Sequence, residues 1–279
     1  MKLIVGTGNF NKEYILSKNN IKNNFKKNLI RKASCLREAL IDTAPAYSSA
    51  EYLIGKHSSK NLKVITKIAK LKKKTKDPLR FLLNKINKSL NKLKQKSIHG
   101  IMLHNSNDFI VNKRIFIKLI ALLKIRKYAK KIGLSIYETE ELYKIIKFWV
   151  PDFIQVPYNI FNREIESKKF LKLIAKHKIE IHVRSIFLKG LLSQKKTSLK
   201  KLSRWNEHFH KWFKWCEKNN IKPYEACYLF AKNNSVIKKI VVSFDNMKQF
   251  EEILKVRNRK LKFPDLRVKD KYFLNPSIW

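Results

Sequence analysis

Three short apolar runs end on side chains that handle protons: "ALID" closes on Asp42, "LKVITK" on Lys67 and "GIMLH" on His104. A tyrosine, Tyr47, follows the first of them in "IDTAPAYSSAEYLIG", residues 41–55. A tyrosine is too weak an acid for neutral solution, with a pKa of about 10, unless a nearby cation favours its phenolate form. Lys67 can be that cation, and Asp42 can hold Lys67 in place through a buried ion pair. His104 can orient a substrate carbonyl by hydrogen bonding, which leaves Tyr47 as general acid or base. Each residue alone is weak evidence, because a strand-end Asp is often a helix cap, a strand-end Lys often reaches for water, and a lone His is usually structural. Their joint placement carries the reading, and it requires that the three runs be neighbours.

The elements that would make them neighbours are legible along the whole chain. Eight runs rich in Ile, Val and Leu recur at 3–6, 39–42, 62–67, 100–104, 132–135, 152–156, 179–185 and 240–243. Each has strand length and nearly continuous hydrophobicity, as parallel strands covered on both faces require. Between them lie amphipathic stretches at 22–36, 47–57, 77–96, 112–131, 138–147, 167–177, 222–233 and 246–257. Pro78 behind Asp77 reads as a first helical turn behind its N-cap. Strand and helix alternate throughout, so the expected architecture is an α/β (β/α)8 TIM barrel, with an open doubly wound sheet as the alternative. No Pro-rich or Gly/Ser linker interrupts the 279 residues, and one domain over 1–279 is expected. In such a barrel the polar ends of the strands meet at one mouth, where Asp42 is expected to lie exposed. Ser135, Gln155, Arg184 with Ser185, and Ser243 end further runs there. The longest break in the alternation, 187–220, predicts an extended loop with an extra helix, and the aromatic tail at 263–279 is expected to pack back over the barrel.

Composition excludes several classes. With 44% hydrophobic residues the chain can bury a large core, and it has no uncharged apolar run long enough for a membrane span. The opening "MKLIVGTGNF" is interrupted too soon by Gly6 and Gly8 for a signal peptide, so a cytoplasmic location is expected. Cys35, Cys216 and Cys227 have neither disulfide nor zinc-site spacing. The net charge of +42 would suit a polyanion, yet the lysines are dispersed through nearly every segment instead of forming a stripe beside aromatic residues. A coding bias toward Lys, Asn and Ile accounts for that dispersion better than a nucleic-acid surface does, and no specific nucleic-acid partner is expected. The dense cluster "KIAKLKKKTK" at 67–76 reads as a solvated loop.

The segments "GTGNF", "IDTAPAYSSAEYLIG", "VITK", "GIMLHN", "IGLSIYE", "FIQVPYNIFNR", "VRSIFLKGLL" and "NPSIW" fall in an order and spacing that resemble the aldo-keto reductase superfamily over essentially the whole chain. The resemblance is greatest to a bacterial branch carrying R-S-x-F-L-x-G-L-L. It implies that Asp42, Tyr47, Lys67 and His104 are a catalytic tetrad, that Tyr47 donates the proton, and that an aldehyde or ketone, a sugar-related carbonyl among them, is reduced with NADPH or NADH. By the same resemblance Ser135 and Gln155 hold the cofactor's carboxamide, with Asn159 following on the same segment. Arg184 stands where relatives stack a tyrosine on the nicotinamide, a role that a planar guanidinium can share. Ser185, Leu188 and Gly190 fall near the pyrophosphate, and Ser243, Asp245, Gln249 and Glu252 near the adenosine end. A cofactor-binding regulatory barrel without turnover is the alternative function. No metal is expected, and the oligomeric state is not set.

The chain also departs from that pattern. Ser243 stands where Gly is usual and no typical basic clamp follows, which leaves NADPH and NADH both open; Lys248 is the one nearby candidate to replace the clamp. Asn11 and Ser48 replace two further glycines, and Asn tolerates the left-handed backbone that a glycine would allow. Three other signals have plainer accounts. "GTGNFN" lacks the third glycine of a dinucleotide fingerprint. "HFH" at 208–210 lacks ligand partners, and the nearby Trp205, Trp212, Phe213 and Trp215 predict an apolar helix face instead of a base-stacking surface.

Overall fold

The computed structural model describes residues 2–11, 21–59, 61–71, 75–193 and 200–275. Among these, eight parallel strands close in sequence order into a barrel. They are β1 (Leu3–Gly6), β2 (Leu40–Asp42), β3 (Lys63–Ile68), β4 (Ile98–Leu103), β5 (Ala129–Ser135), β6 (Phe153–Pro157), β7 (Glu180–Arg184) and β8 (Ile237–Val242). Pairing of β1 with β8, Leu3 opposite Ile240, makes the closing seam. Helices α1 (Asn23–Ser34), α2 (Ala50–His57), α3 (Pro78–Leu93), α4 (Ser106–Val111), α5 (Lys113–Ile125), α6 (Thr139–Ile145), α7 (Lys168–His177), α8 (Asn206–Lys218), α9 (Pro223–Asn233), α10 (Met247–Leu254) and α11 (Lys271–Leu274) follow in chain order. The expected (β/α)8 barrel is therefore the observed fold, and the open sheet is not.

Two cores serve it. A large outer core lies between strands and helices, while Ile4, Leu40, Ile65, Met102 and Phe153 fill the barrel itself. Phe153 occupies space that two glycines leave: a Cβ on Gly133 would sit 2.4 Å from its ring, and one on Gly100 would sit 3.3 Å away. His182 stacks on that ring, with centroids 4.7 Å apart. Because side chains alternate along a strand, the residue two positions beyond each plug residue also points inward, one layer higher. This places Asp42 above Leu40, Lys67 above Ile65, His104 above Met102, and Gln155 above Phe153.

Several boundaries differ from the periodicity. The stretch 112–131 is helical only to Ile125; Lys127 takes a left-handed conformation at φ 53°, and Ala129–Lys131 pair with β4 as the start of β5. Strands β4, β5 and β8 begin two or three residues before their apolar runs, since backbone pairing recruits polar residues at the lower rim. Helix α2 starts at Ala50 and not at Tyr47, because Ser48 turns left-handed at φ 55°. That is the conformation a glycine would favour there. Asn11 is extended instead (φ −97°), so no left-handed residue is needed at that position.

The tail packs as expected. Phe273 of α11 is buried against Phe161, Trp205 and Phe209, and the Val268 amide donates to the Phe161 carbonyl. Trp212 and Trp215 stack on each other, and Trp215 packs on Phe263, so the α8 aromatics are spent on folding. No group of side chains that could hold a metal ion is found among the described residues, His208 and His210 included. The segments 194–199 and 276–279, and 72–74 of the lysine cluster, lie outside the described residues. No helix among the described residues is long and apolar enough to cross a membrane.

The tightest packing constraint is at Gly55, where α2 crosses the end of α3: an added Cβ would lie 2.0 Å from the Lys92 carbonyl oxygen. Backbone cannot yield as a flexible side chain can, so Gly55→Ala should destabilise the fold by on the order of 3 kcal/mol. A lowered urea midpoint with an unchanged slope would record it.

Candidate functional site

At the upper end of the barrel Lys67 is the hub. Its ammonium donates to Asp42 Oδ1 at 2.6 Å, to the Thr43 carbonyl at 3.1 Å and to the Tyr47 hydroxyl. Three protons thus meet three acceptors, which is what a buried ammonium requires. The pair is deeply enclosed, with side-chain exposures of 2% for Lys67 and 4% for Asp42. Asp42 is therefore not exposed at the mouth as its position predicted. It lies just above the apolar plug, and its second oxygen accepts a 2.9 Å bond from Gln155 Nε2. Burial works to lower the Lys67 pKa, but the Asp42 carboxylate and the Tyr47 oxygen outweigh it, and the net direction is upward.

Tyr47 is buried and reaches Lys67 from the turn after β2, its ring 4.7 Å below the ammonium. Gly8 lies against the same tyrosine: a Cβ there would make ordinary contact with its ring and hydroxyl, at 3.7 and 3.9 Å. His104 meets the Tyr47 ring edge-on, with centroids 6.3 Å apart. Burial, then the charges of Lys67 and Arg184, lower its pKa to about 3, so the imidazole is neutral at physiological pH. A neutral imidazole has one N–H donor to offer a carbonyl oxygen.

The supporting layer was not read from the sequence. Glu51, buried on α2, accepts from Thr66 Oγ1 at 2.7 Å and so fixes the residue before Lys67. Thr7 donates through its amide and hydroxyl to the Asp42 carbonyl. Glu141 ties two loops at the mouth together, accepting from Ser106 Oγ and from the amides of Tyr137 and Glu138. The signal for Glu51 was its place among Ala50, Leu53 and Ile54 on the buried side of α2.

The remaining candidate residues occupy the same rim. Ser135 and Gln155 are paired across β5 and β6, both buried. Gln155 gives its N–H to Asp42, while its carbonyl oxygen stays available. Arg184 donates to the Ile136 carbonyl and lays its guanidinium 4.2 Å over the Tyr137 ring. Asn159 is spent on structure, bonding the Ser185 carbonyl and the amides of Phe161 and Asn162. After β7 the backbone is left-handed at Ser185, Leu188, Lys189 and Gly190, with φ of 60°, 48°, 54° and 92°. Backbone held in this sparsely populated region is costly for residues other than glycine, and strain of this kind gathers at ligand sites. Leu188 has its side chain fully buried, so only its backbone can serve there. Nothing lies within 4 Å of where a Gly190 Cβ would be.

Beyond β8, Ser243 sits against Gly6, whose missing side chain makes room for it. The Asp245 carboxylate accepts from Asn9, and its amide donates to the Gln249 side chain; Asn246 caps α10. Glu252 faces Tyr224 of α9 and helps raise that phenol's pKa, after burial. Buried Thr43 Oγ1 and Asn9 Oδ1 have no hydrogen-bond partner among the described residues, and both belong to loops at the mouth. Buried polar atoms left without a partner at the mouth fit a polar ligand that would satisfy them there.

Comparison with known proteins places the chain in a family and bears out the fold. A family model described as the aldo/keto reductase family matches residues 2–269. No curated protein sequence matches. Among solved structures, a glycerol dehydrogenase of Gluconobacter oxydans superposes with a TM-score of 0.69 at 17% identity, covering 94% of this chain and 88% of its own. The holo form of an aldo-keto reductase of Bacillus halodurans gives 0.70 at 16%, with coverages of 93% and 88%.

Two outcomes test the buried pair and the histidine. Lys67→Met would leave Asp42 buried without its cation and should cost about 3–5 kcal/mol in denaturant unfolding. Because the folded state holds His104 neutral, stability should fall as pH drops from 6.5 toward about 3, where the unfolded chain alone takes the proton. Comparison of the stability–pH curves of wild type and His104→Asn would reveal a shallower acid limb in the variant.

Proposed function

Since this chain belongs to the aldo/keto reductase family, a family of NAD(P)-dependent oxidoreductases, we propose that it reduces an aldehyde or ketone, with Tyr47 delivering the proton. The observation that carries this reading is the chain of contacts from Asp42 through Lys67 to the Tyr47 hydroxyl, with a neutral His104 alongside. A nicotinamide cofactor, when bound, supplies the hydride. The residues do the rest. His104 donates a hydrogen bond to the carbonyl oxygen and holds it near the Tyr47 hydroxyl. As negative charge grows on that oxygen, Tyr47 gives up its proton, and the Lys67 ammonium stabilises the phenolate left behind. Asp42 keeps Lys67 protonated and immobile while this happens.

For the cofactor, the Gln155 carbonyl oxygen and the Ser135 hydroxyl would take the carboxamide. Arg184, with one face on Tyr137, would offer its other face to the nicotinamide. The left-handed turn at 185–190 would receive the pyrophosphate, and the loop from Ser243 to Asn246 with Gln249 and Glu252 of α10 the adenosine. Asp245 stands where relatives place a phosphate clamp, which supports use of NADH as well as NADPH.

Tyr47→Phe should abolish reduction of a reporter aldehyde while leaving cofactor affinity, followed by nicotinamide fluorescence, within about twofold; the phenol contributes a proton and little binding. Undiminished turnover in that variant would end the proposal. Arg184→Ala should weaken cofactor binding by roughly five- to tenfold through loss of stacking.

A further inference from the structure

At the end of the barrel opposite the tetrad, where β1 and β8 begin, lies an open cavity of about 780 Å³. Six cations line it: Lys2 before β1, Lys232 at the end of α9, Lys238 and Lys239 in β8, and Arg259 and Lys260 beyond α10. One carboxylate accompanies them, Glu38, 3.9 Å from Lys239. Several of the cations are anchored by carbonyls. Lys2 donates to the Lys232 and Asn234 carbonyls at 2.9 and 2.8 Å, and Arg259 donates to that of Asn219 at 3.0 Å. Such bonds fix the walls but do not neutralise them. Lys238 and Lys260 stand exposed at the rim.

The convergence is more than the average basicity of the chain. Three stretches of the chain, at residue 2, at 232–239 and at 259–260, bring their charges to one concavity, and like charges gathered there repel one another. Burial first, then the charges of Lys232 and Lys238, lower the Lys2 pKa. Lys239 is lowered as well, by burial above all, with Lys63 and Lys238 adding to it against the pull of Glu38. A multivalent anion would relieve that repulsion. The volume lies in the range of small-molecule sites and the surface is concave, unlike a plane for a lipid bilayer. No aromatic side chain lines it, so it lacks the platform on which single-stranded bases stack.

We propose that this cavity is an anion site that takes a small polyphosphate, independent of the carbonyl-reducing centre at the other end of the barrel. Inorganic tripolyphosphate, titrated calorimetrically into the full chain at about 0.15 M salt with NADPH filling the upper mouth, should bind saturably. The double variant Lys238→Gln/Lys260→Gln should weaken that binding by roughly tenfold. The matched variant Lys118→Gln/Lys124→Gln, on the exposed face of α5, should not change it. Both changes remove exposed charges, and unchanged thermal melts would verify folding. Reduction of the reporter aldehyde should be the same in all three proteins; its absence from all three would count against the proposed reductase activity and not against this site. Absence of saturable binding, or equal weakening in the α5 variant, would overturn the proposal. So would a single-stranded oligonucleotide that binds and is not displaced by tripolyphosphate, since it would put nucleic acid on this face.

Discussion

The ion pair between Asp42 and Lys67 is the interaction around which the upper half of the barrel is organised. Two charges taken out of water lose hydration worth several kcal/mol each, and their attraction repays this only when every remaining donor and acceptor is matched. Here the matching is complete on the lysine: carboxylate, carbonyl and phenol take its three protons. On the aspartate, Gln155 supplies the second partner from the far side of the barrel. Position as well as protonation of the tyrosine's neighbour follows from this, because an ammonium so bound has no other geometry to adopt.

That arrangement depends in turn on the apolar plug. Leu40, Ile65, Met102 and Phe153 fill the barrel to a level just below the polar layer, and the two-residue repeat of the strand raises the next inward side chain into the mouth. Glycines 100 and 133 are part of the same device, since they admit the Phe153 ring to the axis. The two ends of the barrel consequently differ in kind. One presents satisfied charges and unsatisfied neutral polar atoms around a tyrosine. The other collects basic residues from just before β1, from the end of α9, from β8 and from the segment after α10, with Glu38 the one carboxylate among them.

Most elements were legible in the residues because period and composition are local properties. All eight strands and a helix in each of the eight amphipathic stretches stand where hydrophobic periodicity put them, give or take a turn, and Pro78 with Asp77 opens α3 as the capping pattern requires; the short α4 was not among them. The misses occur where something non-local intervenes. Residues 129–131 belong to β5 because β4 pairs with them, and no feature of "YAKK" by itself opposes continued helix. Ser48 is left-handed because the chain must turn Tyr47 inward, which a side chain's type does not announce. The depth of Asp42 was misjudged for a similar reason: strand-end position suggests water, while two partners from other strands make burial tolerable.

What the sequence by itself determined is the alternation of strand and helix, and the set of chemical types at the strand ends. Acid, lysine, histidine and tyrosine are written in order, since each follows its own apolar run and needs no other segment to be recognised. What only the tertiary structure decided is how they are coupled. Closure of the barrel brings Gln155 across to Asp42, sets Glu51 against Thr66, and leaves His104 neutral between burial and two cations. Distances of a few ångströms between residues far apart in the chain govern those effects, and electrostatic energies inside a protein change steeply over such distances.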